Sequence, residues 1–158
     1  MYDVRCMMYD VCKKRFLIYI IGVALLVTGC TLETSDNGDF DGMWQLTRID
    51  SLLTGSSADM RYSQVVWCVQ GTLLETRVAD LYGKEDDVIF RFSLTGDSLL
   101  LSEPYFSYRD EGDIAVEDAR KLHRFGITRL EERFLVQQLS SSDLQLQSDS
   151  LRLYFRKY

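Results

Sequence analysis

The sequence Val88-Ile89-Phe90-Arg91-Phe92-Ser93-Leu94 carries a large apolar side chain at every even-numbered position. Side chains of a β-strand point alternately to its two faces, so the even-numbered residues share one face, and Arg91 and Ser93 lie on the other. A strand with one apolar face is typical of an antiparallel sheet that covers a core on one side. We therefore predict a strand here with its even-numbered residues inside.

Comparable runs, rich in β-branched and aromatic residues, follow one another from residue 43 onward. Short segments of Gly, Asp and Ser separate them, as in hairpin turns. The sequence thus predicts an all-β fold, a small up-and-down antiparallel barrel of about eight strands with one short late helix, with a β-sandwich as the alternative. The further predicted strands are Met43–Asp50, Tyr62–Gln70, Thr72–Ala79, Ser98–Ser102, Arg133–Leu139, Asp143–Gln147 and Ser150–Arg156, with Tyr105–Tyr108 as a weaker candidate.

The predicted inward faces carry bulky side chains. A barrel of about eight strands has an interior that side chains either fill or shape around one small ligand. Alternation leaves both readings open, a filled core and a cavity for a small apolar ligand. The candidate cavity-lining residues are Leu46, Phe90, Phe92, Phe134, Val136, Leu153 and Phe155, and the inward set also includes Trp44, Leu144, Leu146 and Leu151.

One helical segment interrupts the strands. Four apolar residues recur at every third position from Val116 to Phe125, with Asp113 before them. Gly126 stands where a C-terminal cap belongs. We predict a short helix over Val116–Phe125 that plugs or covers one end of the barrel.

The N-terminal region has the organisation of an export signal. Lys13-Lys14-Arg15 precede an apolar run that ends at Val27, and two small residues follow. Only fourteen residues separate Arg15 from Cys30, whereas a spanning helix needs roughly 20. Residues 1–29 are therefore predicted to be a cleaved signal peptide.

The residues after the signal divide into a tether and one domain. Thr31–Asp41 is polar and acidic without an apolar period, so residues 30–41 are predicted to be a flexible acidic tether. Its acidic residues lack the full calcium-loop pattern, and no metal is predicted. Residues 42–158 are predicted to form one domain around a single core.

The mature chain is acidic. Removing residues 1–29 takes four of the 18 basic and two of the 24 acidic residues, which leaves a formal charge of −8. Such a charge disfavours phosphate backbones, so nucleic acid is not expected as a partner. The sequence identifies no protein partner.

No arrangement of residues in the mature chain indicates catalysis. Cys68 is distant in sequence from His123, the single histidine, and is predicted to be buried and inert. Glu85-Asp86-Asp87 and Asp110-Glu111-Gly112-Asp113 are typical of solvated loops. Ser140-Ser141-Ser142 lacks a nucleophile elbow. The chain is therefore predicted to be neither an enzyme nor a protein that holds a cofactor.

Val27-Thr28-Gly29-Cys30 resembles the lipobox of bacterial lipoproteins. The resemblance implies that Cys30 becomes the N-terminus and carries a thioether-linked diacylglycerol and usually a third acyl chain. Two or more acyl chains hold a protein on a bilayer. Since Thr31 offers no acidic retention signal, the implied location is the cell envelope, anchored by lipid to the outer membrane at its periplasmic face or at the cell surface.

Gly42-Met43-Trp44-Gln45-Leu46 resembles the lipocalin signature on the first strand, and the chain's ending is similar to the lipocalin-like lipoproteins of Gram-negative bacteria. The resemblance implies an eight-stranded barrel, in some relatives with a cavity for an apolar ligand. In lipocalins a basic side chain near the end of the last strand covers the signature tryptophan. The resemblance therefore implies barrel closure by Gly42, Trp44 and Lys157.

Two hypotheses for function follow. The first is a membrane-anchored protein that binds a small apolar ligand inside the barrel. The alternative is a non-enzymatic interaction or structural module with a filled core, which makes its contacts through loops and exposed strand faces.

Overall fold

The computed structural model of the protein describes residues 37–79, 87–107, 112 and 114–158. The predicted signal peptide, Cys30, residues 31–36 of the tether, Tyr108 and Asp113 lie outside this range. The strands are β1 Gly42–Ser51, β2 Ser57–Asp59, β3 Val65–Gln70, β4 Leu73–Val78, β5 Val88–Thr95, β6 Ser98–Phe106, β7 Ile114–Ala115, β8 Glu132–Leu139, β9 Asp143–Gln147 and β10 Leu151–Lys157, and two 3-10 helices span Gly38–Phe40 and Ala119–Phe125.

Eight of these strands form a closed antiparallel barrel. Each pairs with the next in the order β1, β3, β4, β5, β6, β8, β9, β10. β1 also pairs with β10, so that Trp44 lies opposite Lys157 and Ser51 lies opposite Leu151. The short β2 and β7 pair beside the second halves of β1 and β6. The predicted up-and-down barrel is confirmed, and the sandwich alternative is wrong.

Short connections explain this simple topology. β3 and β4 are joined through Gly71 and Thr72, and β5 and β6 through Gly96 and Asp97. Ser148–Ser150 joins β9 to β10 in the same way. Connections of two or three residues force neighbouring strands to run antiparallel and side by side. These three connections contain the Gly, Asp and Ser residues that separate the predicted strands in the sequence.

The alternation that we read in the sequence determines the two faces of the sheet. In β5, Val88 and Phe90 are fully buried, Phe92 is half-buried against the core and Arg91 is exposed. Three strands contain an irregularity in register, between Leu46 and Arg48, between Ile89 and Arg91, and between Val136 and Gln138. Such bulges bend a strand and re-aim its side chains, which matters for the groove described below.

The late helix begins three residues after the predicted start. The predicted helix Val116–Phe125 is a 3-10 helix over Ala119–Phe125, with Asp118 as its N-cap and Gly126 as its C-cap in the left-handed conformation. A spacing of three residues between buried side chains fits a 3-10 helix, which has three residues per turn. Leu122 and Phe125 are accordingly its buried residues.

The packed domain begins before the predicted boundary at Gly42. Phe40, in the first 3-10 helix, has no exposed surface and belongs to the core. Its ring packs edge-on against Phe92, with the centroids 5.4 Å apart. Asn37 also reaches the barrel, donating a hydrogen bond to the carbonyl of Gly71 at 2.8 Å. The sequence does not indicate this earlier start of the domain, because a single aromatic residue among acidic ones shows no hydrophobic periodicity.

Candidate functional site

The interior of the barrel is lined by one continuous apolar cluster. Its largest members are Trp44, Trp67, Phe40, Phe90, Phe125 and Phe134, each with no exposed surface. Among the predicted cavity-lining residues, Leu46, Phe90, Phe134 and Leu153 are fully buried, Phe155 is 3% exposed, and Phe92 and Val136 are partly buried against the same cluster. These side chains contact one another as a packed core does.

The first 3-10 helix closes one end of the barrel, which we call the Phe40 end. The indole Nε1 of Trp44 donates a hydrogen bond to the carbonyl of Phe40 at 2.8 Å. The Lys157 ammonium lies 4.9 Å from the centre of the Trp44 ring and donates to the carbonyl of Asp39 at 2.8 Å. The helix is thus tied to the first and the last strands at once.

Gly42 completes this arrangement. Its φ of +115° lies in a region that other residues rarely adopt, and a Cβ there would come within 2.9 Å of the Lys157 side chain. Gly42, Trp44 and Lys157, the three residues that the lipocalin resemblance assigns to barrel closure, therefore meet at the Phe40 end. A cation over an indole face contributes about 0.5–2 kcal/mol, depending on its exposure.

The second 3-10 helix closes the opposite end, which we call the Phe125 end. The indole Nε1 of Trp67 donates a hydrogen bond to the carbonyl of Phe125 at 3.2 Å. The Trp67 ring also contacts Phe134 and Phe155, with centroids 6.0 and 4.9 Å away. Sequence reasoning gave Trp67 no role. Its position two residues from Val65 and two from Val69, which are buried with it, is a signal that could have placed it inside.

The segment after this helix is held by a buried carboxylate. Glu132, 3% exposed, accepts hydrogen bonds from the backbone N–H of Thr128 and, at 3.0 Å, from that of Arg129. It also accepts one from the Thr128 hydroxyl at 2.9 Å. Because all of its described partners belong to the adjacent turn, Glu132 fixes the closing helix in place and is not poised for chemistry.

A groove of about 500 Å³ lies on the outside of the barrel, across β9, β10 and β1. We call it the outer groove. Most of its lining side chains are polar and point away from the core. The lining residues are Gln45, Thr47, Arg48, Arg61, Gln138, Asp143, Leu144, Gln145, Tyr154, Phe155 and Arg156.

Two of the three arginines in the outer groove are already engaged. The Arg61 guanidinium makes a two-point contact with the Asp59 carboxylate, with its closest distance at 2.6 Å. These hydrogen bonds lower the pKa of Asp59 from 3.8 to about 2. The Arg48 guanidinium lies 3.7 Å from the centre of the Tyr154 ring and contacts Asp50 at 3.2 Å. No hydrogen bond or ion pair joins Arg156 to the part of the chain that the structure describes.

The residues weighed as catalytic candidates lie apart. Cys68, which the sequence predicts to be buried and inert, is half-buried on the outer face of β3, and burial raises the pKa of its thiol. His123 is exposed on the second 3-10 helix. Over residues 37–79, 87–107, 112 and 114–158, no three His, Cys, Asp or Glu side chains converge on a metal position. Within those ranges no helix is long and apolar enough to span a membrane.

A closed eight-stranded up-and-down barrel, with the last strand's lysine over the first strand's tryptophan, defines a lipocalin-like β-barrel protein. The model of the lipocalin-like domain family matches residues 25–158, and the chain belongs to that family. A search of curated proteins gives no match.

Two solved structures share the fold. A lipocalin-like protein from Bacteroides uniformis ATCC 8492 is 22% identical, with a TM-score of 0.57 over 77% of this chain and 100% of its own. An uncharacterized protein from Bacteroides eggerthii DSM 20697 is 17% identical, with a TM-score of 0.54 over 75% of this chain and 98% of its own. At these identities the likeness concerns the fold alone.

Proposed function

We propose that this protein is a non-enzymatic binding module of the cell envelope, anchored to the outer membrane by lipid on Cys30. The interior of its barrel is a packed core, and its outer surface makes the contacts with other molecules. A lipocalin-like barrel is compatible with ligand binding, inside or outside. The closure of both barrel ends favours the outside. An apolar ligand in the interior would have to displace side chains that have little or no exposed surface, among them Trp44, Trp67 and Phe125.

The absence of an interior ligand is tested on the purified chain. Native mass spectrometry is expected to show the protein mass alone, and a panel of fatty acids and phospholipids is expected to leave the melting temperature unchanged. Phe125→Ala with added benzene is the matched positive control, since an apolar cavity in a packed core stays dry and takes up small apolar molecules such as benzene. A stoichiometric lipid in the unaltered protein contradicts the proposal and supports the hypothesis of a small apolar ligand.

Anchoring is tested separately with Cys30→Ala. The variant is expected to lose incorporation of labelled palmitate and to accumulate as an uncleaved precursor, because the thiol is the implied acceptor of the diacylglycerol. Cys68→Ala is the matched control and should be lipidated as before. Normal processing and unchanged membrane fractionation of Cys30→Ala rule out the lipid anchor.

The outer-membrane location is a further part of the proposal, supported by Thr31 in the position after Cys30. Separation of inner and outer membranes on a density gradient should place the lipidated chain in the outer fraction. Surface protease treatment of whole cells then distinguishes the periplasmic face from the cell surface.

A further inference from the structure

The outer groove is unusual for a small barrel because the outside of a closed barrel curves away from its centre. Three features of the surrounding structure form the sides of the groove. The segment after β2 carries Arg61 over β1, and the Gln45 side-chain amide holds it by a hydrogen bond to the Arg61 carbonyl at 3.1 Å. The register irregularity next to Thr47 bends β1, and that at Gln138 bends β8.

The groove is also fixed in shape. The Thr47 hydroxyl donates to the carbonyl of Tyr154 at 2.9 Å, and the Ser142 hydroxyl donates to the Asp143 carboxylate at 2.5 Å. Arg48 stacks over Tyr154 and pairs with Asp50. A site whose side chains are already ordered loses less entropy when it binds a ligand.

One guanidinium in the lining, unpaired within the described part of the chain, points to an anion. The lining contains three arginines and one aspartate, whereas the mature chain as a whole is acidic. Asp59 and Asp50 neutralise Arg61 and Arg48. The Arg156 guanidinium keeps its five donors, since no described residue pairs with it, and a planar guanidinium fork matches a planar carboxylate.

We propose that the outer groove binds an acidic sugar, a ring with several hydroxyls and one carboxylate, with the carboxylate on Arg156. The inference rests on the proposed function, which places the protein's contacts on its outer surface. The side-chain amides of Gln45, Gln138 and Gln145 both donate and accept hydrogen bonds, as a ligand rich in hydroxyls requires. A volume of about 500 Å³ accommodates such a ligand.

A carboxylate fits this lining better than a phosphate. A phosphate monoester carries close to two negative charges at neutral pH. Arg156 is the one guanidinium of the groove without a carboxylate partner among the described residues, and the Asp143 carboxylate in the lining repels a second negative charge. Because Asp143 lies opposite Arg156 on the neighbouring strand, a ligand with one negative charge is repelled less at this site than a ligand with two.

The experiment is a calorimetric titration of the purified full chain in detergent with sodium glucuronate. Glucose and glucose 6-phosphate are the neutral and phosphorylated comparators. Arg156→Gln is expected to weaken glucuronate binding by about tenfold or more, because it removes a charge-assisted two-point contact. Arg156→Lys keeps the charge without the fork and is expected to give an intermediate loss.

Arg152→Gln is the matched control. Arg152 lies on the same strand as Arg156 and pairs with Gln147 outside the outer groove, so its removal should leave binding unchanged. Backbone amide NMR shifts on titration should fall on β1, β9 and β10. Equal weakening by Arg152→Gln, or tighter binding of glucose 6-phosphate than of glucuronate, overturns the assignment.

Failure of this inference is distinguishable from failure of the proposed function. If glucuronate does not bind and the lipid panel is also negative, the acidic-sugar site is wrong and the packed module stands. If a lipid occupies the interior, the proposed function fails whatever glucuronate does.

Discussion

The two ends of the barrel are closed by the same device with different parts. At each end a buried tryptophan donates its indole hydrogen to the carbonyl of a phenylalanine in a 3-10 helix, Trp44 to Phe40 and Trp67 to Phe125. Each helix is followed by a glycine of positive φ, Gly42 after one intervening residue and Gly126 directly. An indole that fills the barrel and a backbone carbonyl that satisfies its N–H together make a dry plug.

The two ends differ in the sequence separation between the tryptophan and the carbonyl that accepts its hydrogen bond. Trp44 and its acceptor are four residues apart, whereas Trp67 and its acceptor are 58 apart. The Phe40 end is therefore a local structure that a lysine of the last strand covers. The Phe125 end depends on a helix that arrives late in the chain and on two further aromatic rings, Phe134 and Phe155.

The largest expected effects come from removing the two tryptophans. Trp44→Ala and Trp67→Ala should each lower the free energy of unfolding by about 3–5 kcal/mol through lost core volume. Trp67→Ala should be the costlier because its ring has two aromatic contacts. Urea denaturation followed by circular dichroism measures both, with the exposed Tyr62→Ala as a control within about 0.5 kcal/mol. A tryptophan variant as stable as this control shows that its end is not closed as described.

Alanine substitution of Gly42 and of Gly126 should give a clearer difference in stability between the two ends. A Cβ on Gly126 meets the buried Leu153 side chain at 2.8 Å, whereas a Cβ on Gly42 meets the flexible end of Lys157 at 2.9 Å. Both alanine variants incur backbone strain of about 1–2 kcal/mol, and overpacking of Leu153 adds about 1–3 kcal/mol to Gly126→Ala alone. Unfolding free energies are again the measurement. A larger loss for Gly42→Ala reverses the comparison.

Substitution of Lys157 tests whether a side chain of the last strand stabilises the Phe40 end. Lys157→Ala should lower stability by about 0.5–2 kcal/mol, because the ammonium loses its place over the Trp44 ring. In a double-mutant cycle with Trp44→Ala the two effects should not add, since each removes the same contact. Lys157→Ala combined with Leu122→Ala, a buried residue of the second 3-10 helix at the other end, is the control and should be additive. Additive effects of Lys157→Ala and Trp44→Ala would show that the cation–π contact does not stabilise the fold.

The smallest expected effect is a contribution of the Phe125 end to the pH dependence of stability. Asp118 caps the second 3-10 helix, and hydrogen bonds from Arg120 lower the pKa of this carboxyl from 3.8 to about 2. A folded-state pKa below the unfolded value stabilises the fold above pH 3.8, and that contribution is lost as the pH falls towards about 2.

The expected result is that Asp118→Ala lowers the urea midpoint at neutral pH and that its difference from the unaltered protein disappears in acid. Thr76→Ala removes a hydrogen bond from the Thr76 hydroxyl to the carbonyl of Val88, which does not titrate, and supplies a control whose effect should not vary with acidity. A difference for Asp118→Ala that persists at the lowest pH contradicts a role for the ionised cap.

The Phe40 end was largely predictable because its signals lie within a few residues. Gly42 and Trp44 open the first strand, and the strand pattern counts by twos from Leu151 to bring Lys157 inside. Phe40 was missed because an isolated aromatic residue in an acidic segment has no period. The Phe125 end was predicted as a short helix that plugs or covers the barrel, but without Trp67, because no residue near Trp67 in the sequence indicates which carbonyl its indole N–H contacts.

The outer groove was not predictable at all. Gln45, Gln145 and Arg156 stand at outward positions of three strands, where polar side chains are the ordinary expectation. Their convergence depends on the pairing of β1 with β10 and of β10 with β9. A concavity also needs walls, which come from the segment after β2 and from two register irregularities that leave no signature in the sequence.

The sequence by itself determined most of the strands, the inward face of several of them and the turns between them, because side-chain alternation and turn chemistry act over a few residues. Only the tertiary structure decided that the strands close into a barrel and not a sandwich, whether the barrel is hollow and where its surface is concave. Those properties depend on how side chains from distant strands and from the two closing helices fill the same interior volume. The alternation of residues along one strand does not determine the total volume of these side chains.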